Sequence, residues 1–531
     1  MSSITLSLVS HTNVGKTTLA RTLLVADVGE VRDAPHVTEF ADGHELIATA
    51  EGDRLRLWDT PGFGDSARLA KRLLASGNPL GWFLSQVWDR WADRGFWASQ
   101  QAMRHVQTES DVVLYLVNAS ESPAGAGYVA PEMDLLTWVG KPVLVLLNQL
   151  GEPQAPEREA ADVQAWREHL ARWPLVQAVL PLDAFARCWV HEQTLLQAVQ
   201  RLLQGPLNGL QNGLQNGPQD GPQEGKQAAA MARLSAAWAA RNQARFDASM
   251  QVLAQSLAHM ALARTAVAEG PGLRDRLRGL GSTLGAVLSG GPGAGTVHAQ
   301  ADAAARDGAS GPTPAEQALA ATLQAEVQAS TDRLLTLHGL AGRARAEILQ
   351  RVAGQFALRQ RVPEGKAALV GGAVTGALAG LKADIASGGL TLGGGLLAGA
   401  LLGALGAAGV ARGVNVVRGT DQSWLRVADE AMLALVESAV LRYLAVAHFG
   451  RGRGEWVQGE APLHWPATVA AALATQQAAL LALWAERDPR APADAAADPA
   501  PLAQALQPLL AAAVRDTLAR LYPTATHNPS A

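Results

Sequence analysis

The chain has 531 residues, 44 Lys+Arg against 48 Asp+Glu for a formal net charge of −4, and a single cysteine. That length suffices for about two to four domains, each with its own core. The acidic balance, with a pI near 6.3, argues against a general attraction for nucleic acid, and lone Cys188 excludes a disulfide framework or a Cys-rich zinc site and is expected to be a packed thiol.

No basic stretch leads into an apolar one at the start of the chain, so a cytoplasmic protein is expected. Ile4, Leu6, Leu8 and Val9 form an apolar run that breaks at Ser10-His11-Thr12-Asn13, passes through Gly15-Lys16-Thr17 and resumes as a helix former. This is the order strand, phosphate loop, helix, and it meets G-x-x-x-x-G-K-[ST] except at Ser10, which stands where the first glycine belongs. Gly15 lets the backbone curl so that successive N–H groups of Asn13, Val14, Gly15, Lys16, Thr17 and Thr18 face phosphates. In such a loop Lys16 reaches the β- and γ-phosphates and Thr17 holds magnesium.

Further along, Glu45 to Ala50 and Arg54 to Trp58 read as a hairpin turning at Glu51-Gly52-Asp53. The second strand runs into Asp59-Thr60-Pro61-Gly62, where Asp59 supports magnesium through water and the N–H of Gly62 senses a γ-phosphate. Thr38 is the candidate for a switch threonine that closes on the magnesium, with Thr60 as a competitor. A Trp-rich helical stretch, with Trp82, Trp88, Trp91 and Trp97, fills Ser66 to Gln107 and reads as extra core packing or a partner surface. Asp111 to Val117, Pro142 to Leu147 and Val176 to Leu182 are continuous apolar runs of the kind found in buried parallel strands. An α/β domain with a mainly parallel sheet and helices on both faces is expected over residues 1–204.

The loop Asn13-Val14-Gly15-Lys16-Thr17-Thr18, the Asp59-Thr60-Pro61-Gly62 box and Asn148 at a strand end resemble, in order and spacing, the Era-like GTPases of the translation-factor class, over about Ile4 to Leu203. The resemblance implies GTP and GDP as ligands and GTP hydrolysis to GDP and phosphate. Lys16, Thr38 and Gly62 are then the catalytic contacts, with Thr17, Thr38 and Asp59 around Mg2+. Asn148 would touch the base, and Leu182-Asp183-Ala184 is a weak version of the family's last box, with the backbone of Asp183 and Ala184 against the base. Phe63 stands where many small GTPases carry a water-orienting glutamine, so hydrolysis should be slow until a partner, a homodimer or an ion completes the site. Asn13 matches an asparagine that takes K+ in some members, or else only stabilises the loop. The chain departs from the family at Asn148-Gln149-Leu150-Gly151, which lacks the carboxylate of N-K-x-D. Glu152 is a candidate substitute. GTP is favoured, with relaxed base specificity as the alternative.

From Gly205 to Gly225 a glycine recurs every fourth residue amid Asn, Gln and Pro, and residues 205–227 read as a flexible linker. Residues 228–522 then read as α-helical, with helices expected around Met231 to Leu257, Ala315 to Leu358, Asp421 to His448, Pro466 to Glu486 and Leu502 to Leu521, and a disordered tail at 523–531. His259, His338 and His448 are isolated and expected to be packed or solvated rather than ligands. The apolar segments Ala367 to Leu381 and Ile385 to Ala411 carry glycines four apart, which suits a close-packed helical hairpin at 367–411. Arginines on both sides suit a hairpin whose ends are both cytoplasmic. Association with the inner membrane, through lipid or a membrane-protein partner, is weighed against a Gly/Ala-packed pair in a soluble domain. Ribosome or RNA work is disfavoured by the acidic pI, and a nucleotide-dependent scaffold is a further alternative.

Overall fold

The computed structural model describes residues 1–24, 42–63, 66, 71, 94–150, 156–182, 188–204, 221–267, 314–340, 414–418, 423–427, 429–448, 464–485 and 498–523. The chain divides into two compact units, one of Met1–Phe246, Ala447–Pro462 and Leu518–Ala531, the other of Asp247–Val446 and Leu463–Thr517.

The first unit is built on strands β1 (Ser3–Ser10), β2 (Asp42–Ala48), β3 (Arg54–Asp59), β4 (Val112–Asn118), β5 (Val143–Asn148) and β6 (Val176–Pro181), in the sheet order β2-β3-β1-β4-β5-β6. All neighbours pair in parallel except β2 with β3, the expected hairpin. Helices α1 (Lys16–Leu24), α2 (Arg94–Glu109), α3 (Val129–Val139), α4 (Pro156–Leu170) and α5 (Trp189–Gln204) cover it. Period-two alternation splits the buried strands between two cores. Leu6, Leu8, Leu114, Leu116, Leu144 and Leu146 pack with α1 and α5, whereas Val113, Tyr115, Val117, Val145 and Leu147 pack with α2, α3 and α4.

A further helix, α6 (Gly221–Leu262), begins inside the stretch read as a linker; residues 205–220 lie outside the described ones. Its Ala230, Met231, Leu234 and Trp238, spaced for one helix face, join the core of α1 and α5. Trp238 Nε1 and Asn242 Nδ2 donate to buried Glu192 of α5 at 2.7 and 3.1 Å. Arg233 meets Asp53 of the β2–β3 turn at 2.7 Å, and Arg241 donates to the Leu46 carbonyl at 3.3 Å, on edge strand β2. The first compact unit therefore runs to Phe246 rather than ending near 204. Cys188 is buried, and His448 stacks on Tyr522 at 5.6 Å.

The second unit is largely helical, with α7 (Pro314–Leu337), α8 (Asp429–Ala447, to Val446 in this unit), α9 (Trp465–Ala474), α10 (Gln477–Ala485) and most of α11 (Ala500–Leu521). It also holds an antiparallel sheet that periodicity did not disclose, β7 (Arg264–Val267), β9 (Ser423–Val427) and β8 (Val414–Arg418) in that spatial order. Strands of four or five residues are too short to establish a two-residue period, and β9 occupies the start of the helix expected from Asp421. The helix expected to continue to Leu358 ends at Leu337, where Gly339 turns left-handed at φ 65° and the Leu340 N–H closes on the Leu335 carbonyl. The helix expected from Pro466 is two helices bent by 66°, with Thr475 between them spending its hydroxyl on the Ala472 carbonyl at 2.7 Å.

Arg442 of α8 is buried, and its Nη1 donates to the Val327 carbonyl, Ser330 Oγ and Thr331 Oγ1 of α7 at 2.9 to 3.0 Å. His338 meets Ser249 at 3.3 Å, and His259 meets Glu326 at 3.4 Å. Among the described residues no single helix is long and apolar enough to cross a membrane, and α9 with α10 passes that test only as a bent pair. The hairpin at 367–411 and the tail at 524–531 lie outside the described residues.

Candidate nucleotide site

The site forms where β1, β3 and β5 end, the edge of a parallel sheet at which α/β folds place their ligands. After β1 the chain turns through Asn13 at φ 63° and Gly15 at φ 95° before α1 opens at Lys16. Gly15 is required twice over. An L side chain is strained at that φ, and a Cβ there would stand 2.8 Å from Asn148 Nδ2. Asn148, wholly buried at the end of β5, donates Nδ2 to the Val14 carbonyl at 2.7 Å and so braces the loop from the far side. The opening amides of α1 have no acidic side chain in the first turn to compete for them, which leaves an anion-binding helix start.

Lys16 is 7% exposed, and burial holds its ammonium below the usual lysine range, partly offset by the nearby charges of Asp59 and Glu132. Its Nζ donates to Ser10 Oγ at 3.1 Å and toward the His11 carbonyl at 3.5 Å. Ser10, the one departure from the loop pattern, thus supplies an oxygen to the lysine. Thr17 donates its hydroxyl to Asp59 Oδ2, which brings together two of the three residues expected at magnesium. A Cβ on Gly62 would lie 3.0 Å from Lys16 Nζ and 3.1 Å from Thr12 Cα, so the D-T-P-G turn rests directly against the loop.

Thr60, the competitor for the switch role, gives its hydroxyl to the Leu8 carbonyl at 2.6 Å and is wholly buried. It serves the sheet, while Thr38 lies outside the described residues, as do Gly151, Glu152, Asp183 and Ala184. Thr18 is buried on α1. Phe63 is wholly buried in the core with Met103, Val106 and Tyr115, and its N–H donates to the Ser10 carbonyl at 2.9 Å. The side chain at that position faces the core.

The roles of five residues around the loop were not foreseen. Glu132 of α3 is wholly buried; its Oε1 accepts from His11 Nδ1 at 2.7 Å and from Ser66 Oγ at 3.0 Å, and its Oε2 accepts from Tyr115 at 2.6 Å. Burial raises its carboxyl above the usual carboxylate range, against the lowering effect of these donors. The His11 ring stacks on Tyr128 at 4.8 Å. The available signal was a glutamate set among Val129, Met133 and Leu136 on the apolar stripe of α3.

Thr17 and Asp59 offer hard oxygens side by side, which fits Mg2+, an ion that takes few protein ligands and keeps water and phosphate oxygens. Among the described residues no group of three or more His, Cys, Asp or Glu is placed to hold a metal.

Residues 5–149 match the family model described as 50S ribosome-binding GTPase. No curated protein matches the chain. Solved structures that resemble it include an Era variant from Aquifex aeolicus bound to GDP.AlF4- (18% identity, 34% of this chain and 52% of that one, TM-score 0.26). Another is Era with MgGDPNP and a piece of 16S ribosomal RNA (18%, 41% and 61%, TM-score 0.28). A third is the bacterial selenocysteine-specific elongation factor (13%, 38% and 29%, TM-score 0.25). The chain thus spans between about half and three-fifths of the two Era chains.

Proposed function

We propose that this chain, a P-loop GTPase over residues 5–149, binds GTP and GDP with magnesium, hydrolyses GTP slowly as a switch, and works at the inner membrane through residues 367–411. The observation that carries the nucleotide part is the convergence of two chain segments, the end of β5 and the turn after β3, on the phosphate loop. Asn148 braces Val14, Asp59 takes the Thr17 hydroxyl, and Gly62 lies against Lys16.

In this reading the α1 amides and Lys16 bind and orient the phosphates, and Thr17, Asp59 and Thr38 hold the ion, which when bound supplies positive charge to the phosphate oxygens. Phe63 faces the core and orients no water, which supports a slow intrinsic rate that a second copy, another partner or potassium at Asn13 would raise. Asn148-Gln149-Leu150 lacks a base-pairing carboxylate, so GTP is preferred over ATP by less than an N-K-x-D box would give. The apolar pair at 367–411, with its glycine spacing and flanking arginines, supports the membrane part.

The nucleotide part is tested with Lys16→Ala in the full chain. Losing a charged contact to phosphate should weaken a fluorescent GTP analogue by about a hundredfold, the equivalent of about 2.7 kcal/mol, and unchanged affinity in a folded variant would refute it. Hydrolysis at equal rates in potassium and sodium, at one ionic strength, removes the cation role of Asn13. The full chain should sediment with membranes and resist alkaline carbonate; recovery in the supernatant rejects the membrane part.

A further inference from the structure

Glu132 touches no phosphate in the chemistry just described and bears on it only as a charge near Lys16, yet it is buried among apolar side chains, where a carboxylate is expensive unless something needs it. Its three donors come from three different places. Tyr115 stands in the central strand β4, fixed by the sheet. His11 belongs to the phosphate loop, and its ring is held flat against Tyr128. Ser66 lies four residues beyond Gly62, on the segment that follows the D-T-P-G turn. His11 and Ser66 meet the same oxygen, Oε1, while the Phe63 N–H meets Ser10, the neighbour of His11. The chain just after Gly62 is therefore attached twice, directly at Phe63 and through Glu132 at Ser66, and both attachments lead back to Ser10-His11.

Resting on the GTPase reading above, we propose that Glu132 is a positioning residue that makes the phosphate loop and the Gly62 segment move as one body, so that the protein distinguishes triphosphate from diphosphate. Contact of the Gly62 N–H with a γ-phosphate displaces the segment that carries Ser66. Because Ser66 and His11 share one carboxylate oxygen, that displacement changes how firmly His11 is held and with it the carbonyl that faces Lys16. Without the carboxylate the two segments respond separately. Triphosphate then loses the contribution of the second segment while diphosphate, which lacks the γ-phosphate, keeps most of its affinity.

The experiment measures the affinities of GTPγS and GDP for the full-length wild type and for Glu132→Gln, Ser66→Ala and Ser66→Thr, alongside thermal melts. Glutamine presents one acceptor and a mismatched donor, so Glu132→Gln should lower the GTPγS:GDP affinity ratio by about tenfold, within the usual range for coupled sites, with GDP affinity nearly unchanged. Ser66→Ala should lower the ratio in the same direction by less, and Ser66→Thr, which keeps the hydroxyl, should restore it. The serine pair keeps the proposal testable should Glu132→Gln fail to fold. A wild type that binds both nucleotides, with variants that keep its ratio or lose both affinities in parallel, overturns the positioning role alone. A wild type that binds neither nucleotide overturns the GTPase reading and this role with it.

Discussion

Glu132 in the sheet unit and Arg442 in the helical unit are both buried charges with three hydrogen-bond contacts, but the contacts differ in kind. The donors to Glu132 come from β4, the phosphate loop and the segment after Gly62, far apart in sequence. The acceptors of Arg442 all lie within one turn of α7 and meet a single nitrogen, and burial lowers its guanidinium to about 10. Glu192 resembles Arg442, since both of its donors described above stand on α6. A charge satisfied from one helix is a pin between two elements. A charge satisfied from three segments sets their mutual geometry, which is a functional property when two of them line a binding site.

The largest expected effect tests the pins. Trp238→Ala removes a wholly buried indole and one donor to Glu192, and should cost about 4 kcal/mol of stability in urea unfolding. For the same reason a chain cut at Gln204 should be much less stable than one cut after Phe246; equal stability would mean that α6 does not belong to the first unit's core. Arg442→Ala should cost about 3 kcal/mol through lost packing and hydrogen bonds. Arg442→Met, which fills the space without a charge, should lie within about 1 kcal/mol of wild type. A methionine variant as unstable as the alanine one would show that the guanidinium does more than pin α7.

The pH dependence sharpens the contrast at smaller scale. Glu132 has a raised carboxyl pKa, so between the unfolded value near 4.5 and its folded value the native chain binds more protons, and stability falls as pH rises through that window. Glu132→Gln should remove this fall, visible as melting curves that separate from wild type across the window. Asp53 has the opposite sign. The hydrogen bond from Arg233, foremost, lowers its pKa, so its contribution is present above the unfolded value near 3.8 and is lost as pH falls through the folded one. Arg233→Ala should reduce that acid-dependent loss, leaving the part due to the Ser2 N–H and the N-terminus, with the smallest effect of the set because the arginine is half exposed.

Much of the local geometry of the candidate nucleotide site was legible because its residues sit at fixed offsets in short motifs. Gly15, Lys16 and Thr17 follow one strand and Asp59 and Gly62 end another. The parallel sheet was legible because buried strands need continuous apolar runs. Spacing within a motif reflects local geometry, and local geometry survives without knowledge of the rest of the chain. The base-side residues Asp183 and Ala184 and the switch candidate Thr38 remain expectations of sequence.

What the sequence by itself determined, then, is a phosphate loop on an α/β sheet, a glycine-rich stretch after it and a largely helical second half. Only the tertiary structure decided that Ser10 serves Lys16, that Thr60 belongs to the sheet, and that Phe63 faces the core. It alone placed the larger part of α6 in the first unit, because the apolar face of a helix is visible in sequence while the surface that face covers is not. It alone gathered His11, Ser66 and Tyr115 on Glu132 across as many as 121 residues, since a buried carboxylate finds its donors by proximity in space, and no spacing along the chain encodes that.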